Sequence, residues 1–212
     1  MAKKISPTQT KPIKLLDLCT GTACIPLLLC HLWPDRSVQA LGVDISALAA
    51  QLASENAKKF GFVPSEAQTQ NSLSVLNADI LEDGFISSLI KQGWPPFDVL
   101  TANPPYISRT EYDRLPPSVK NYEDIRALLG DRISKNSAGN GLDFYRAIAD
   151  LVGKDIAGDE YGLVKPGGLI VLEVGHNQSR DVEMLMIERG HVRRTEIWKD
   201  PWGIERVVLS WK

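Results

Sequence analysis

Short apolar segments alternate with longer amphipathic segments along most of the chain. The apolar runs predict buried strands over 14–19, 37–43, 73–78, 97–102, 169–174, 192–198 and 205–211. Helices are predicted between them over 22–32, 46–60, 83–91, 143–156 and 180–189, and Ser46 is expected to cap the second helix. A turn is predicted over 165–168, where a proline precedes two glycines.

This alternation of strands and helices predicts an α/β fold, with a mostly parallel sheet and helices on both faces. Only residues 199–204 separate the last two strands, which is too short for a parallel crossover, so the last strand of the seven is expected to run antiparallel. The pattern is typical of a Rossmann-like sheet, in which ligands bind beyond the carboxyl ends of the strands. We expect a flexible tail over 1–13 and one domain over 14–212, with 108–140 as an irregular segment on the substrate side.

Composition excludes several classes of protein. The chain has 212 residues with 24 Lys and Arg against 26 Asp and Glu, and this net charge of −2 argues against binding nucleic acid through bulk charge. No apolar run approaches the about 18 residues that a membrane helix needs. The histidines and cysteines do not have the spacing of metal ligands, so we expect no metal site.

The loop after the first strand consists of small and polar residues, Asp17-Leu-Cys-Thr-Gly-Thr-Ala23. Small side chains let a ligand approach the backbone, and the following helix offers free N–H groups. Asp17 lies in an apolar strand end, where a carboxylate needs loop N–H groups or a cationic ligand as its partner. The loop therefore predicts a ligand site, and the alternative is a merely tight connection.

Two further acids, Asp44 and Asp79, come at the ends of the second and third predicted strands. An acid at the first of these positions typically accepts hydrogen bonds from ribose hydroxyls, and Asp79 could accept one from an adenine amino group. The plainer alternatives are a helix cap for Asp44 and a cap or turn residue for Asp79. Three acids at successive strand ends, without the lysine of a phosphate-binding loop, predict a positively charged nucleoside such as S-adenosylmethionine.

The sequence Asn103-Pro-Pro-Tyr106 follows the fourth predicted strand. The prolines fix their own φ angles and have no N–H, so they form a rigid wall of carbonyl acceptors. The Asn103 side-chain oxygen and the Pro104 carbonyl can together hold both hydrogens of a planar NH₂ group, while Tyr106 lies against its flat face. Such a grip would orient an amide nitrogen, which is a poor nucleophile, toward a donor carbon.

The order and spacing of DLCTGTA, GVDIS, NADI and NPPYIS resemble class I S-adenosylmethionine-dependent methyltransferases that act on an amide or exocyclic amino group. The second half of the chain resembles the HemK/PrmC family, which methylates N5 of the glutamine in the Gly-Gly-Gln motif of peptide-chain release factors. This resemblance extends from about Leu15 to Trp211, and it rests on these segments: YEDIRAL from Tyr122, GLDFYR from Gly141, KPGGLIVLEVG from Lys165, and Asp200 with Glu205-Arg-Val207. The sequence around the first loop looks most like that of fungal, mitochondrial-type members.

The resemblance implies roles for individual residues. S-adenosylmethionine, which leaves as S-adenosylhomocysteine, would be bound by Asp17, Cys19, Thr20, Gly21, Thr22, Ala23, Asp44, Asp79, Ile80 and Asn103. The glutamine amide would be bound by Asn103, Pro104, Pro105 and Tyr106, with Asn103, Pro104 and Tyr106 as the catalytic residues.

The resemblance also implies a partner, an oligomeric state and a location. The partner would be the Gly-Gly-Gln loop of a release factor, bound by a monomer with no direct nucleic-acid or membrane contact, and the location would be the mitochondrial matrix, with the cytoplasm as the alternative. Cys19 and Ala23 stand where the family commonly has glycine, so cofactor binding is expected to survive in weakened form. Family members usually have a helical recognition domain before the first motif, so we expect this chain to be a catalytic domain without it.

Two other functions stay open at this level. An adenine N6-methyltransferase acting on RNA or DNA would use the same grip on an exocyclic NH₂ group. A non-catalytic cofactor-binding module would explain the two replaced glycines, whereas the intact Asn103–Tyr106 sequence favours an enzyme.

Overall fold

The structure is a computed structural model that describes residues 11–65, 69–132, 138–154 and 162–212. Its strands are β1 (Ile13–Leu18), β2 (Val38–Asp44), β3 (Ser72–Asn77), β4 (Phe97–Ala102), β5 (Val164–Glu173), β6 (Arg194–Lys199) and β7 (Glu205–Trp211). Its helices are α1 (Cys24–Leu32), α2 (Ala47–Lys59), α3 (Phe85–Lys91), α4 (Arg109–Asp113), α5 (Pro117–Lys120), α6 (Ile125–Leu128), α7 (Asp143–Gly153) and α8 (Ser179–Glu188). Most of the flexible tail predicted over 1–13 lies outside the described residues.

The strands form one seven-stranded sheet in the order β3-β2-β1-β4-β5-β7-β6. β1 pairs in parallel with both β2 and β4, and β2 pairs in parallel with β3. β6 and β7 pair antiparallel, as the short link between them requires. The predicted fold class, an α/β fold with a mostly parallel sheet and an antiparallel last strand, is confirmed.

The start of the first helix and one predicted turn are among the differences between prediction and structure. Helix α1 begins at Cys24 instead of residue 22, because Ala23 takes a left-handed φ of 66° that is incompatible with a helical turn. The turn predicted over 165–168 is wrong, since those residues belong to β5. Gly167 has a φ of 76° within this strand, a left-handed angle that glycine adopts without steric cost.

The chain divides into two compact units, and the first comprises the described parts of 1–102 and 155–170. Strands β1 and β2 are almost continuously buried, as expected for central parallel strands. Ser46 caps α2, as predicted, by accepting a hydrogen bond from Ala49 N. The buried face of α2 consists of Ala50, Ala53 and Ala57, whose small side chains let it pack closely on β2 and β3.

The second unit comprises the described parts of 103–154 and 171–212. Its largest fully buried side chains are Tyr145, Ile148 and Leu172. The Tyr145 hydroxyl donates to the Glu173 carbonyl at 2.7 Å, so α7 is attached to the end of β5. Within 108–132 the backbone forms the short helices α4, α5 and α6. Among the described residues, no helix has the length and hydropathy needed to span a membrane.

Asn71, which is fully buried in the first unit, provides the clearest stability test of the fold. Its Oδ1 accepts hydrogen bonds from Ser37 N and Val38 N, and its Nδ2 donates to Cys30 O and Trp33 O. The change Asn71→Ala leaves these backbone groups without their partner, so we expect the free energy of unfolding to fall by about 2–4 kcal/mol. Urea denaturation measures this loss.

The matched control is Asn56→Ala, because Asn56 makes a single exposed hydrogen bond to Thr22 O. Its expected loss is below about 1 kcal/mol. Equal losses for the two variants would contradict the structural role of Asn71.

Candidate active site

Asp17, in β1, is a buried carboxylate with a residue exposure of 1%. Its Oδ2 accepts a hydrogen bond from the Thr20 hydroxyl at 2.6 Å, and its Oδ1 accepts one from the Thr101 hydroxyl of β4. Burial raises the pKa of Asp17 to about 6, and the two hydroxyl hydrogen bonds only partly oppose that effect. The partners of this carboxylate are thus hydroxyls instead of the loop N–H groups that were considered, and a cationic ligand would stabilise its ionised form.

Sequence reasoning missed Thr101 as part of the site. It is a buried polar residue, 2% exposed, within strand β4, whose other buried residues are apolar. A buried hydroxyl in such a strand needs a partner, so its position was the available signal. Gly42 has a related role, since a Cβ there would lie 2.9 Å from the Thr20 hydroxyl oxygen that donates to Asp17.

The loop between β1 and α1 has left-handed backbone at every second residue. Cys19, Gly21 and Ala23 have φ angles of 56°, 56° and 66°. Thr20 N donates to Val43 O at 3.0 Å and Ala23 N donates to Thr20 O at 2.8 Å, so the surrounding backbone fixes this shape. Non-glycine residues seldom adopt such angles, and strain of this kind is characteristic of ligand-binding turns.

Asp44, the last residue of β2, holds the same loop. Its Oδ2 accepts from Gly21 N and its Oδ1 accepts from Ser46 N, each at 2.8 Å. The alternative interpretation of Asp44 as the cap of α2 is wrong, because Ser46 is the capping residue. Each carboxylate oxygen has more than one lone pair, so Asp44 can also accept hydrogen bonds from a ligand's hydroxyl groups.

Asp79 lies two residues beyond the end of β3. Its Oδ1 accepts from Leu81 N at 2.8 Å, which is the turn role considered for it, and the next residue, Ile80, is 7% exposed. Asn77, another residue that sequence reasoning missed, donates from Nδ2 to Asp44 O and Ile45 O. It thereby ties the carboxyl ends of β2 and β3 together.

The three predicted acids lie close enough to Cys19 to affect the pKa of its thiol. Burial raises the pKa of the Cys19 thiol, and the negative charges of Asp44, Asp17 and Asp79 raise it further. This arrangement concentrates negative charge around a loop whose backbone a ligand can approach, and it suits a ligand that bears positive charge.

The predicted amide-binding residues follow β4 directly. Asn103 is exposed, Pro104 and Pro105 are buried, and Tyr106 is half-buried. The next residue, Ile107, donates from its backbone N to Leu128 O and accepts from Gly130 N, both at 2.9 Å. Two hydrogen bonds therefore fix the backbone just after this segment, and Asn103 is accessible from solvent.

Within the parts of the chain that the structure describes, no group of three or more His, Cys, Asp or Glu side chains could hold a metal ion.

Comparison with solved structures identifies the architecture. A methyltransferase from Pyrococcus furiosus aligns with a TM-score of 0.54 and 14% identity, over 100% of this chain and 79% of that one. The hMettl16 catalytic domain in complex with MAT2A 3'UTR hairpin 6 aligns with a TM-score of 0.58 and 15% identity, over 95% of this chain and 64% of that one. The chain has the fold of class I S-adenosylmethionine-dependent methyltransferases.

Curated relatives are similar in sequence to nearly the whole of this methyltransferase-fold chain. Release factor glutamine methyltransferase of Clostridium acetobutylicum is 32% identical over 197 residues, which are 93% of this chain and 58% of the relative. The protein of the same name from Thermodesulfovibrio yellowstonii is 32% identical, over 94% of this chain and 59% of its own length. The bifunctional methyltransferase of Rickettsia felis is 34% identical, over 92% of this chain and 31% of its own length.

The chain thus spans less than two thirds of the length of each of these relatives. No protein-family model matches it.

The left-handed loop gives a stability test. Gly21 has a φ of 56°, and a Cβ there would meet nothing within 4 Å, so Gly21→Ala adds backbone strain without a clash. We expect it to lower the free energy of unfolding by about 1 kcal/mol. The control is Gly84→Ala, where φ is −83° and space is equally open, and its expected change is within about 0.5 kcal/mol. Thermal denaturation distinguishes the two, and equal effects would contradict the strain.

Asp17→Asn tests the buried charge. Because the pKa of Asp17 is raised to about 6 in the folded protein, its contribution to stability is full below pH about 4 and is lost as the pH rises through 6. The neutral amide avoids this loss, so the variant should be more stable than wild type by about 1–3 kcal/mol at pH 8 and nearly equal at pH 4. Urea denaturation at both pH values measures the difference, and a gain that is independent of pH would argue against a charge effect.

Proposed function

We propose that the chain belongs to the release factor glutamine methyltransferases and methylates N5 of the glutamine in the Gly-Gly-Gln motif of a peptide-chain release factor. The observation that carries this proposal is the Asn103–Tyr106 segment, with buried prolines and an exposed asparagine directly after β4. The methyltransferase fold and the relatives of that name support it.

The residues of the first unit fit S-adenosylmethionine, which supplies a methyl group on a positively charged sulfur when bound. The loop Cys19–Ala23 would lie over its methionine part and Asp44 would accept hydrogen bonds from its ribose. Asp79 and Ile80 would border its adenine, while the buried charge of Asp17 favours a cationic ligand over a neutral one.

Asn103 and its neighbours would act on the glutamine amide. The Asn103 side-chain oxygen and the Pro104 carbonyl would each accept one hydrogen of the NH₂ group, and Tyr106 would lie against its plane. An amide nitrogen is a poor nucleophile because its lone pair is delocalised, so orientation and the exclusion of water are the main contributions that these residues can make. This arrangement uses no strong base.

The proposal includes a partner and a location. The chain would act as a monomer on the Gly-Gly-Gln loop of a release factor, without direct nucleic-acid contact. The resemblance to fungal mitochondrial-type members leads us to propose the mitochondrial matrix, and cell fractionation would distinguish it from the cytoplasm.

The decisive experiment measures transfer of a labelled methyl group from S-adenosylmethionine to a release factor. A release factor with Gln→Ala in the Gly-Gly-Gln motif is the matched control, and tRNA and DNA serve as competing substrates. Label in the release factor that depends on that glutamine supports the proposal. Label in tRNA or DNA alone would favour the adenine N6-methyltransferase, and cofactor binding without any transfer would favour a non-catalytic module.

Asn103→Ala tests the amide grip. The change removes the one side-chain acceptor next to the Pro104 carbonyl, so we expect kcat for release-factor methylation to fall by roughly 10²-fold or more. Asn103 is exposed, so the Tm should stay close to that of wild type. Steady-state kinetics and thermal denaturation measure both quantities. A variant that keeps more than about a tenth of the wild-type kcat would be inconsistent with amide orientation by Asn103.

A further inference from the structure

Gln178, immediately before α8, makes side-chain hydrogen bonds to three different backbone segments of the second unit. Its Oε1 accepts from Gly175 N at 3.0 Å. Its Nε2 donates to Tyr106 O at 2.9 Å and to Asn140 O at 3.2 Å. The orientation of the amide follows from chemistry, because only the NH₂ end can donate to two carbonyl groups and only the oxygen can accept from an N–H.

Three glycines make this arrangement possible by allowing close backbone contact around Tyr106. A Cβ on Gly130 would lie 2.7 Å from Tyr106 Cα, and one on Gly141 would lie 2.2 Å from Tyr106 O. A Cβ on Gly175 would lie 2.5 Å from Gln178 Oε1 and 2.8 Å from Tyr106 Cδ2. The backbone of Tyr106 is therefore enclosed by atoms that leave no room for a shift toward them.

Asp131 fixes the same region through the segment that follows Tyr106. It is 4% exposed, and its carboxylate accepts from Arg109 N and from Gly141 N, each at 2.7 Å. The segment that begins at Tyr106 and the segment just before α7 are thus joined twice, once through Asp131 and once through Gln178. Of the two residues, Gln178 is the one that bonds the amide-binding segment itself.

We propose that Gln178 is a positioning residue for glutamine methylation, which holds the Tyr106 carbonyl and thereby fixes the Pro104–Tyr106 backbone that grips the substrate amide. The inference rests on the proposed function. The Pro104 carbonyl is a backbone acceptor, so its direction depends on how the following residues are held. Prolines restrict φ but leave ψ to be set by neighbouring contacts, and the bond from Gln178 to Tyr106 O supplies such a contact.

Gln178→Glu is the most informative variant because it keeps the size of the side chain and the acceptor for Gly175 N. It replaces the NH₂ group by an oxygen that faces the Tyr106 and Asn140 carbonyls, so two hydrogen bonds are lost and repulsion is added. We expect kcat for release-factor methylation to fall by about 10-fold or more, since small displacements of a positioned group strongly reduce rate. The Kd for S-adenosylmethionine and the KM for the release factor should stay within about twofold of wild type, because no cofactor-binding residue bonds Gln178.

The matched control is Gln92→Glu. Gln92 also donates from Nε2 to a backbone carbonyl, Ser88 O at 3.3 Å, but it is exposed and lies in the other unit. Its kcat should equal that of wild type. Gln178→Met is a second variant, which removes the hydrogen bonds without adding repulsion. Its kcat should lie between the values for wild type and Gln178→Glu.

Hydrogen exchange gives a readout that does not depend on activity. In Gln178→Glu the amides of Ile107 and Gly130, which are bonded to Leu128 O and Ile107 O, should exchange faster than in wild type. The amide of Thr20, bonded to Val43 O in the first unit, should be unchanged.

The outcomes separate the two proposals. A kcat within twofold of wild type, or a raised KM with unchanged kcat, would overturn the role of Gln178 while leaving the proposed function intact. If the wild-type chain methylates no release factor, the proposed function fails. The role of Gln178 in methylation then fails with it, and exchange decides only whether Gln178 holds the Tyr106 backbone: faster exchange at Ile107 and Gly130 supports that contact, and unchanged exchange contradicts it.

Discussion

The buried carboxylate of Asp17 is the group around which the first unit's site is arranged. β1 lies between β2 and β4 in the sheet, and Asp17 uses its two oxygens to bind the Thr20 hydroxyl of the loop and the Thr101 hydroxyl of β4. Asp17 thus joins β1, the loop and β4. A buried charge is costly, so the same carboxylate lowers the stability of the folded protein at neutral pH. Such a compromise is typical of residues retained for binding a ligand.

Much of this arrangement could be predicted from the sequence, because it depends on local patterns. Apolar runs gave β4 and β7 at their observed bounds, and the short link after β6 required an antiparallel pair. The acids at the strand ends were found because parallel strands bring their carboxyl ends to one edge of a sheet.

The parts that were missed depend on the tertiary structure. The left-handed conformation of Cys19 and Ala23 is imposed by backbone hydrogen bonds, and neither residue type prefers it. The start of the first helix was therefore predicted two residues too early. Gln178 was overlooked because two of its three partners are backbone carbonyls 72 and 38 residues away in the chain. No local pattern can indicate a side chain whose role is to bond distant carbonyl groups.

The loop over Cys19–Ala23 has a consequence for the thermodynamics of recognition. Its shape is imposed by β2 through Val43 O and Asp44, so its conformational entropy is lost when the chain folds and need not be lost again when a ligand arrives. A preorganised loop of this kind favours association by reducing the ordering that binding requires. Cys19 and Ala23 accentuate that rigidity, because a β-carbon narrows the range of backbone angles available to each residue.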